Sequence, residues 1–259
     1  MFQRLVEVLV IPTVTIALIA CGGSKETKKP VIEKPQIART KSIDPATVGT
    51  VRGVVLFDGN VPGRSRITFS GAGPCRVMHD GPVFQKDAVI QDGKLKNVFM
   101  HIRSGLEEFI LPSPPSTEVE IDQKGCIYNP RVTAIRVGQS LTFINSDKLL
   151  HNVNVRPEDN RTSNYAMPRL NQRKSRKFRR SEVMVPIKCD VHPWMRAWIG
   201  VMDHPFHSVS TADGSYEIQG LPPGEYELEA WHERFGIQTA KITIKANEAT
   251  DVGFTFKPK

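Results

Sequence analysis

The sequence predicts an all-β protein built from β-sandwiches, and three observations carry that expectation. From Thr50 onward the chain is a succession of short runs rich in Val, Ile, Thr and aromatics, most of them bounded by Gly, Pro, Asn or Asp. Several runs alternate apolar and polar residues, as in RVTAIRV and TAKITIK, which is the period of a half-buried strand. No stretch after residue 50 holds a helical period over a useful length. The 19 Gly and 19 Pro among 259 residues supply the turns that many short strands need.

The chain opens with MFQRLVEVLVIPTVTIALIA, in which Arg4 precedes an uncharged run over residues 8–20. Those 13 residues fall short of the roughly 20 needed to span a bilayer. The run ends in Leu18-Ile19-Ala20-Cys21-Gly22, which resembles a bacterial lipobox. The resemblance implies a signal peptide over 1–20, lipid on Cys21 and a place in the bacterial cell envelope, facing the periplasm. Gly22, where an aspartate often holds a lipoprotein at the inner membrane, points to the outer membrane. An ordinary secretory signal with a chance cysteine is the alternative. Residues 21–49 are rich in Lys, Pro, Gly and Ser with little periodicity, and read as a flexible tether.

Strands are then expected at TVRGVVLFDG, NVFMHIRSG, STEVEID, RVTAIRVG, SLTFINSD, HNVNVR, VMVPIK and AWIGVMD. They continue through HSVST, SYEIQG, YELEAW, TAKITIKA and DVGFTF. The net charge of +8 is unevenly spread: the tether carries +3, residues 156–180 carry +7, and the remainder is slightly acidic. The basic segment contains Arg173, Lys174, Arg176, Lys177, Arg179 and Arg180. It reads as a solvated loop or as a docking patch for an acidic partner. Export argues against nucleic acid as that partner.

TADGSYEIQGLPPGEYELEAWHERFG resembles the carboxypeptidase regulatory-like (transthyretin-like) β-sandwich, through Asp213-Gly214, Tyr216-Glu217-Ile218 and the Leu221-to-Tyr226 turn. Pro fixes the backbone entering that turn and Gly permits positive φ. The opening TVRGVVLFDGNVP also looks like the first strand of such a domain. The expected division is therefore 50–114 as an N-terminal β segment, 115–203 as a second sandwich and 204–259 as the regulatory-like one. A nested order, with the middle domain inserted into the outer one, is a further possibility.

Four cysteines stand at 21, 75, 126 and 189. Lipid consumes Cys21, and an oxidising compartment favours pairing among the other three. The simplest assignment pairs Cys75 with Cys126 and leaves Cys189 as a thiolate protected by a metal. Pairing Cys189 with either of the others is the alternative.

KCDVHPWMRAW holds Cys189, His192 and Met195 as C-x2-H-x2-M, and VGQSLTFINSDKLLHNV supplies His151 on a second loop. Two imidazoles and a thiolate with a weak thioether suit both oxidation states of copper. Zinc rarely takes Met. These two stretches resemble the cupredoxins, amicyanin in particular, over about residues 128–202. The resemblance implies a Greek-key sandwich holding one type 1 (blue) copper through His151, Cys189, His192 and Met195. It implies that Asn152 ties the ligand loops together, that Pro193 and Trp194 stiffen and shield the site, and that the His192 edge is the electron port. Two features depart from the family: the strand VMVPIK lacks the usual aromatics, and Lys188 directly precedes the cysteine.

The expectation is thus a cupredoxin-like Greek-key sandwich plus an Ig-like (transthyretin-like) sandwich on a lipid-anchored chain. Its function would be one-electron transfer with a redox protein partner, not enzymatic catalysis. Copper delivery, or a structural or adhesive lipoprotein with a metal-free fold, are the rival readings. His79, His101, His204, His207 and His232 read as surface or hydrogen-bonded core histidines. No nucleophile elbow, phosphate loop or H-E-x-x-H motif is present.

Overall fold

The computed structural model describes residues 38–258. The expected signal peptide, Cys21 and the tether up to residue 37 lie outside the described residues. The last part of the expected tether is held by the fold. Thr40 and Lys41 both donate their N–H to the Glu108 carbonyl, and Ile110 N–H donates to the Lys41 carbonyl. Ile43 packs on a hydrophobic core. A tether boundary at residue 49 is therefore too late, because a single apolar residue in a polar run found a place on the core.

Among the described residues the fold is all-β apart from one helical turn. The chain begins with β1 (Gly49–Phe57), whose Val51, Val55 and Phe57 turn inward while Arg52 and Leu56 face out. A cap follows, made of β2 (Arg66–Ile67), α1 (Gly73–Arg76) and β3 (Val83–Phe84), with β2 paired to β3. Then come β4 (Ile90–Gln91), β5 (Lys94–Leu95) and β6 (Phe99–Ser104).

The next nine strands form a sandwich of their own. They are β7 (Val119–Gln123), β8 (Tyr128–Asn129), β9 (Val132–Arg136), β10 (Ser140–Asn145) and β11 (His151–Val155), then β12 (Ser163–Met167), β13 (Gln172–Lys177), β14 (Glu182–Lys188) and β15 (Arg196–Met202). One sheet runs β13-β10-β7-β8 and the other β12-β11-β14-β15-β9. Ile121, Leu141, Phe143, Val153, Val185, Ile187 and Ile199 are among the residues that fill the space between them.

The chain then returns to its first half through β16 (His207–Val209), β17 (Ser215–Leu221), β18 (Gly224–His232), β19 (Gly236–Ile244), β20 (Ala249–Asp251) and β21 (Phe254–Phe256). One sheet runs β17-β1-β5-β4, with β20 and β21 both parallel to β1, and its companion runs β16-β6-β18-β19. Val51 lies opposite Ile218, and Phe99 opposite Trp231. Residues 49–104 and 207–256 therefore build one sandwich between them, and 119–202 are inserted into it.

The basic segment is more regular than a loop. Residues 163–167 are the edge strand of one sheet and 172–177 the edge strand of the other. Its charge hid the β pattern, since Lys and Arg are depleted in strands generally yet common on exposed edges, where they block pairing with other chains.

The two sandwiches meet through a small core of Phe99, Val132, Met184 and Met202, flanked by Trp198 and Trp231. A Cβ on Gly200 would lie 2.5 Å from Phe99 Cζ, so the missing side chain lets Phe99 reach β15. Beside this core the Arg131 guanidinium donates from Nη2 to Glu233 Oε2 at 2.7 Å, and Trp198 Nε1 donates to the same oxygen at 3.1 Å.

Candidate metal centre

The inserted sandwich brings three of the expected ligands to one place. His151 opens β11, Cys189 follows the end of β14, and His192 sits on the turn before β15. The turn is closed by its own backbone: Met195 N–H donates to the His192 carbonyl at 2.9 Å, and Cys189 N–H to the Met195 carbonyl at 3.2 Å. His151 Nδ1 and His192 Nδ1 are 2.9 Å apart, and Cys189 Sγ is 3.8 Å from His192 Nδ1. One ligand atom from each of His151, Cys189 and His192 lies within 4.8 Å of the others, and all three residues are buried. Met195 is buried in the same core.

Both rings are oriented from behind. His151 Nε2 lies 2.8 Å from Asp147 Oδ2, and a carboxylate there requires the ring proton on Nε2, leaving the Nδ1 lone pair free. Asp147 is itself held by N–H donors from Gly125 and Cys126, each at 2.8 Å. His192 Nε2 lies 3.4 Å from Cys75 Sγ, which is disulfide-bonded and carries no proton to give. The two Nδ1 atoms face one another at 2.9 Å, a separation at which either a proton on one ring or a bound cation must lie between them. With a thiolate alongside, this is a donor set that fits a borderline or soft metal ion.

Asn152 joins the loops. Its Oδ1 accepts the Asp190 N–H at 2.7 Å and the Cys189 thiol at 3.3 Å, and its Nδ2 donates to Asp190 Oδ2 at 2.8 Å. Tyr128 Oη donates to the Asn152 carbonyl at 2.6 Å.

The electrostatics favour a thiolate. Burial alone raises the Cys189 pKa, but the His151 ring and the backbone N–H groups of Asn152, His192 and Val191 outweigh it and bring the thiol below its ordinary value. Burial likewise opposes a charge on His151, yet Asp147 and Cys189 prevail and raise its pKa. Asp147 is held below the usual carboxylate range, since its hydrogen bonds from His151, Cys126 and Gly125 overcome its burial.

The expected pairing of Cys75 with Cys126 is present, with the Cα atoms 5.7 Å apart. It ties the cap to the inserted sandwich and lies against the site. The cap changes one expectation. The His192 edge, expected as the electron port, is only 6% exposed. Cys75 covers Nε2, and Trp194 packs 5.3 Å from the ring while donating Nε1–H to the Cys126 carbonyl at 2.9 Å. Phe69 of the cap meets Trp194 edge-on at 5.2 Å. The cap residue Cys75 is 117 positions upstream of His192 and has no signature in the C-x2-H-x2-M motif. Pro193 is exposed, and Leu150 and Val191 on the two ligand loops are exposed apolar residues.

Asp147 was missed in the sequence. Its signal was an acidic residue four positions before the ligand histidine, in INSDKLLH. The remaining histidines lie elsewhere. His79 Nε2 is 2.9 Å from the Gly125 carbonyl, His101 pairs with Glu229 at 3.1 Å, and His232 Nδ1 accepts the Arg234 N–H. The His101 and His204 rings stack with centroids 6.5 Å apart and do not converge as ligands. In the basic segment Arg173 is bound by Glu118 and Glu120, whereas Arg161, Lys177, Arg179 and Arg180 line an open cleft. Among the described residues no helix is long and apolar enough to cross a membrane.

No protein-family model and no curated protein matches the chain. Solved structures that resemble it include cupredoxins and a larger copper protein. A purple cupredoxin from Nitrosopumilus maritimus is 20% identical over 32% of this chain and 98% of its own, with a TM-score of 0.28. A Cu(I) form of an amicyanin mutant is 22% identical over 33% of this chain and 82% of its own, at 0.30. The Cu-containing nitrite reductase from Thermus scotoductus SA-01 is 20% identical over 39% of this chain and 25% of its own, at 0.28. TM-scores of this size carry no argument about what the chain does.

Proposed function

We propose that the chain is a type 1 copper protein of the bacterial cell envelope that transfers single electrons and catalyses no reaction of its own. The observation that carries this reading is the buried convergence of His151 Nδ1, His192 Nδ1 and Cys189 Sγ. Met195, on the same turn, is the fourth ligand. Copper bound there would cycle between two oxidation states, the one property the protein itself lacks. The chain does the rest. Asp147 fixes the His151 tautomer, Asn152 locks one ligand loop to the other, and Trp194 with the cap excludes water. Held this way, the donors need little rearrangement when the charge at the site changes by one.

The burial of all three donors supports an electron carrier over a delivery protein, which needs ligands that exchange. In this reading Cys21 bears the lipid and the chain faces the periplasm from the outer membrane. The open cleft beside Lys177, Arg179 and Arg180 suits an acidic redox protein as partner.

The test is a visible absorption spectrum of the chain from Gly22 onward after loading with Cu(II). An intense thiolate-to-copper band that bleaches with ascorbate, and is lost in Cys189→Ser, is the expected result. A pale product, or prompt oxidation of Cys189, would overturn the proposal.

A further inference from the structure

The Cys75–Cys126 cross-link is closer to the site than a staple needs to be. Cys75 Sγ touches His192 Nε2 at 3.4 Å. Cys126 N–H donates to Asp147 Oδ2, the same oxygen that receives His151 Nε2. The two sulfurs and one His192 nitrogen lie within 4.8 Å of one another, and all three residues are buried. His192 therefore has sulfur on both sides: Cys189 toward Nδ1 and Cys75 toward Nε2.

We propose that reduction of this disulfide creates a second, soft-metal site made of Cys75, Cys126 and His192 Nε2. A dithiol reductant breaks the S–S bond: two electrons and two protons pass to the protein, giving two thiols, and the reductant leaves as its own disulfide. Metal binding then releases both thiol protons, so the ion meets two thiolates and one neutral imidazole. That set suits Cu(I), and other thiophilic ions such as Cd(II) fit it equally. A neutral imidazole offers one lone pair at a time. Filling the second site holds the ring proton on Nδ1 and withdraws His192 from the first site. The shared ring couples the two sites, so the oxidised chain holds metal on the Cys189 side and the reduced chain holds it on the cap side.

The second site itself does not need the copper reading, its coupling to the first site rests on that reading, and the test keeps the two apart. The Cys189→Ser chain, again from Gly22 onward, lacks the thiolate of the first site and has no cysteine besides Cys75 and Cys126. It is titrated anaerobically with Cd(II), once oxidised and once after a phosphine reductant. The expected result is no ultraviolet thiolate-to-cadmium band in the oxidised form and one Cd(II) per chain with that band in the reduced form. His192→Ala in the same background should weaken binding at least about tenfold, and His192→Asn, which keeps a polar group of similar bulk, should weaken it comparably. Three results would overturn the inference: two titratable thiols with no band, unchanged affinity in both His192 variants, or near-ultraviolet circular dichroism lost on reduction and not restored by Cd(II). A colourless Cu(II) form of the unsubstituted chain alongside a cadmium band in reduced Cys189→Ser would retire the copper reading alone.

Discussion

Asp147 does at the scale of one residue what no ligand can do for itself. Its carboxylate is buried, accepts two backbone N–H groups from the 125–126 turn, and sets the proton of His151 on Nε2. Asn in its place keeps the shape and removes the negative charge. Asp147→Asn should therefore lower metal affinity by about 10–100-fold, the usual cost of losing such a partner, while leaving the near-ultraviolet circular dichroism intact. Competition with a chelator measures it, and a change under twofold would remove Asp147 from the site. Part of the buried cluster was legible because Cys189 and His192 are held three positions apart on one turn by covalent spacing. Asp147 was harder to see, because an acidic residue four positions from a histidine is common and only the turn geometry brings it to Nε2.

At the scale of elements, the pair of basic strands separates paired from unpaired cations. Arg173 is neutralised by Glu118 and Glu120, and Arg176 lies over the Phe178 ring at 4.0 Å. Lys177, Arg179 and Arg180 have no such partners among the ion pairs found in the described residues and line an open cleft; in the proposed reading they would steer encounter with an acidic partner. Replacing these three by Ser should slow electron transfer to an acidic redox protein by about tenfold or more at low salt and flatten its salt dependence. The same change at Arg173 should do little. Stopped-flow traces across a salt series decide it, and equal effects at both places would refute the assignment. The high density of Lys and Arg here showed a charged face in the sequence but concealed its strands, because edge strands of this kind are selected for charge rather than for the alternation that reveals buried ones.

At the level of the whole molecule, two buried histidines link folding stability to pH. His204 and His232 are buried, and burial holds the pKa of each at about 4, against 6.5 for an ordinary histidine. Around His204, Asp203 opposes this shift while His101 and His207 add to it. Around His232, Arg131 and Arg234 add to it and Asp87 opposes it. Between those two pH values the unfolded chain binds more protons than the folded one. Stability should therefore be full above pH 6.5 and fall by a few kcal/mol as pH drops toward 4. Denaturation midpoints across that range measure the slope, and His232→Phe should remove part of it. A flat profile would show that these rings are not kept neutral.

What the sequence determined by itself was local. Alternation over five or six residues, Gly and Pro at the turns and the C-x2-H-x2-M spacing all act within a few residues. They were enough for the all-β class and for the turn that carries Cys189 and His192. Tertiary structure alone decided the rest. The interleaving of 49–104 with 207–256 rests on pairings such as Val51 with Ile218, and no periodicity encodes which strand is the neighbour. The covering of His192 rests on Cys75, 117 positions away. Burial of that edge and the contact between disulfide and ligand come from side chains meeting across the fold. Such contacts depend on where whole sheets pack, not on the spacing of residues along the chain.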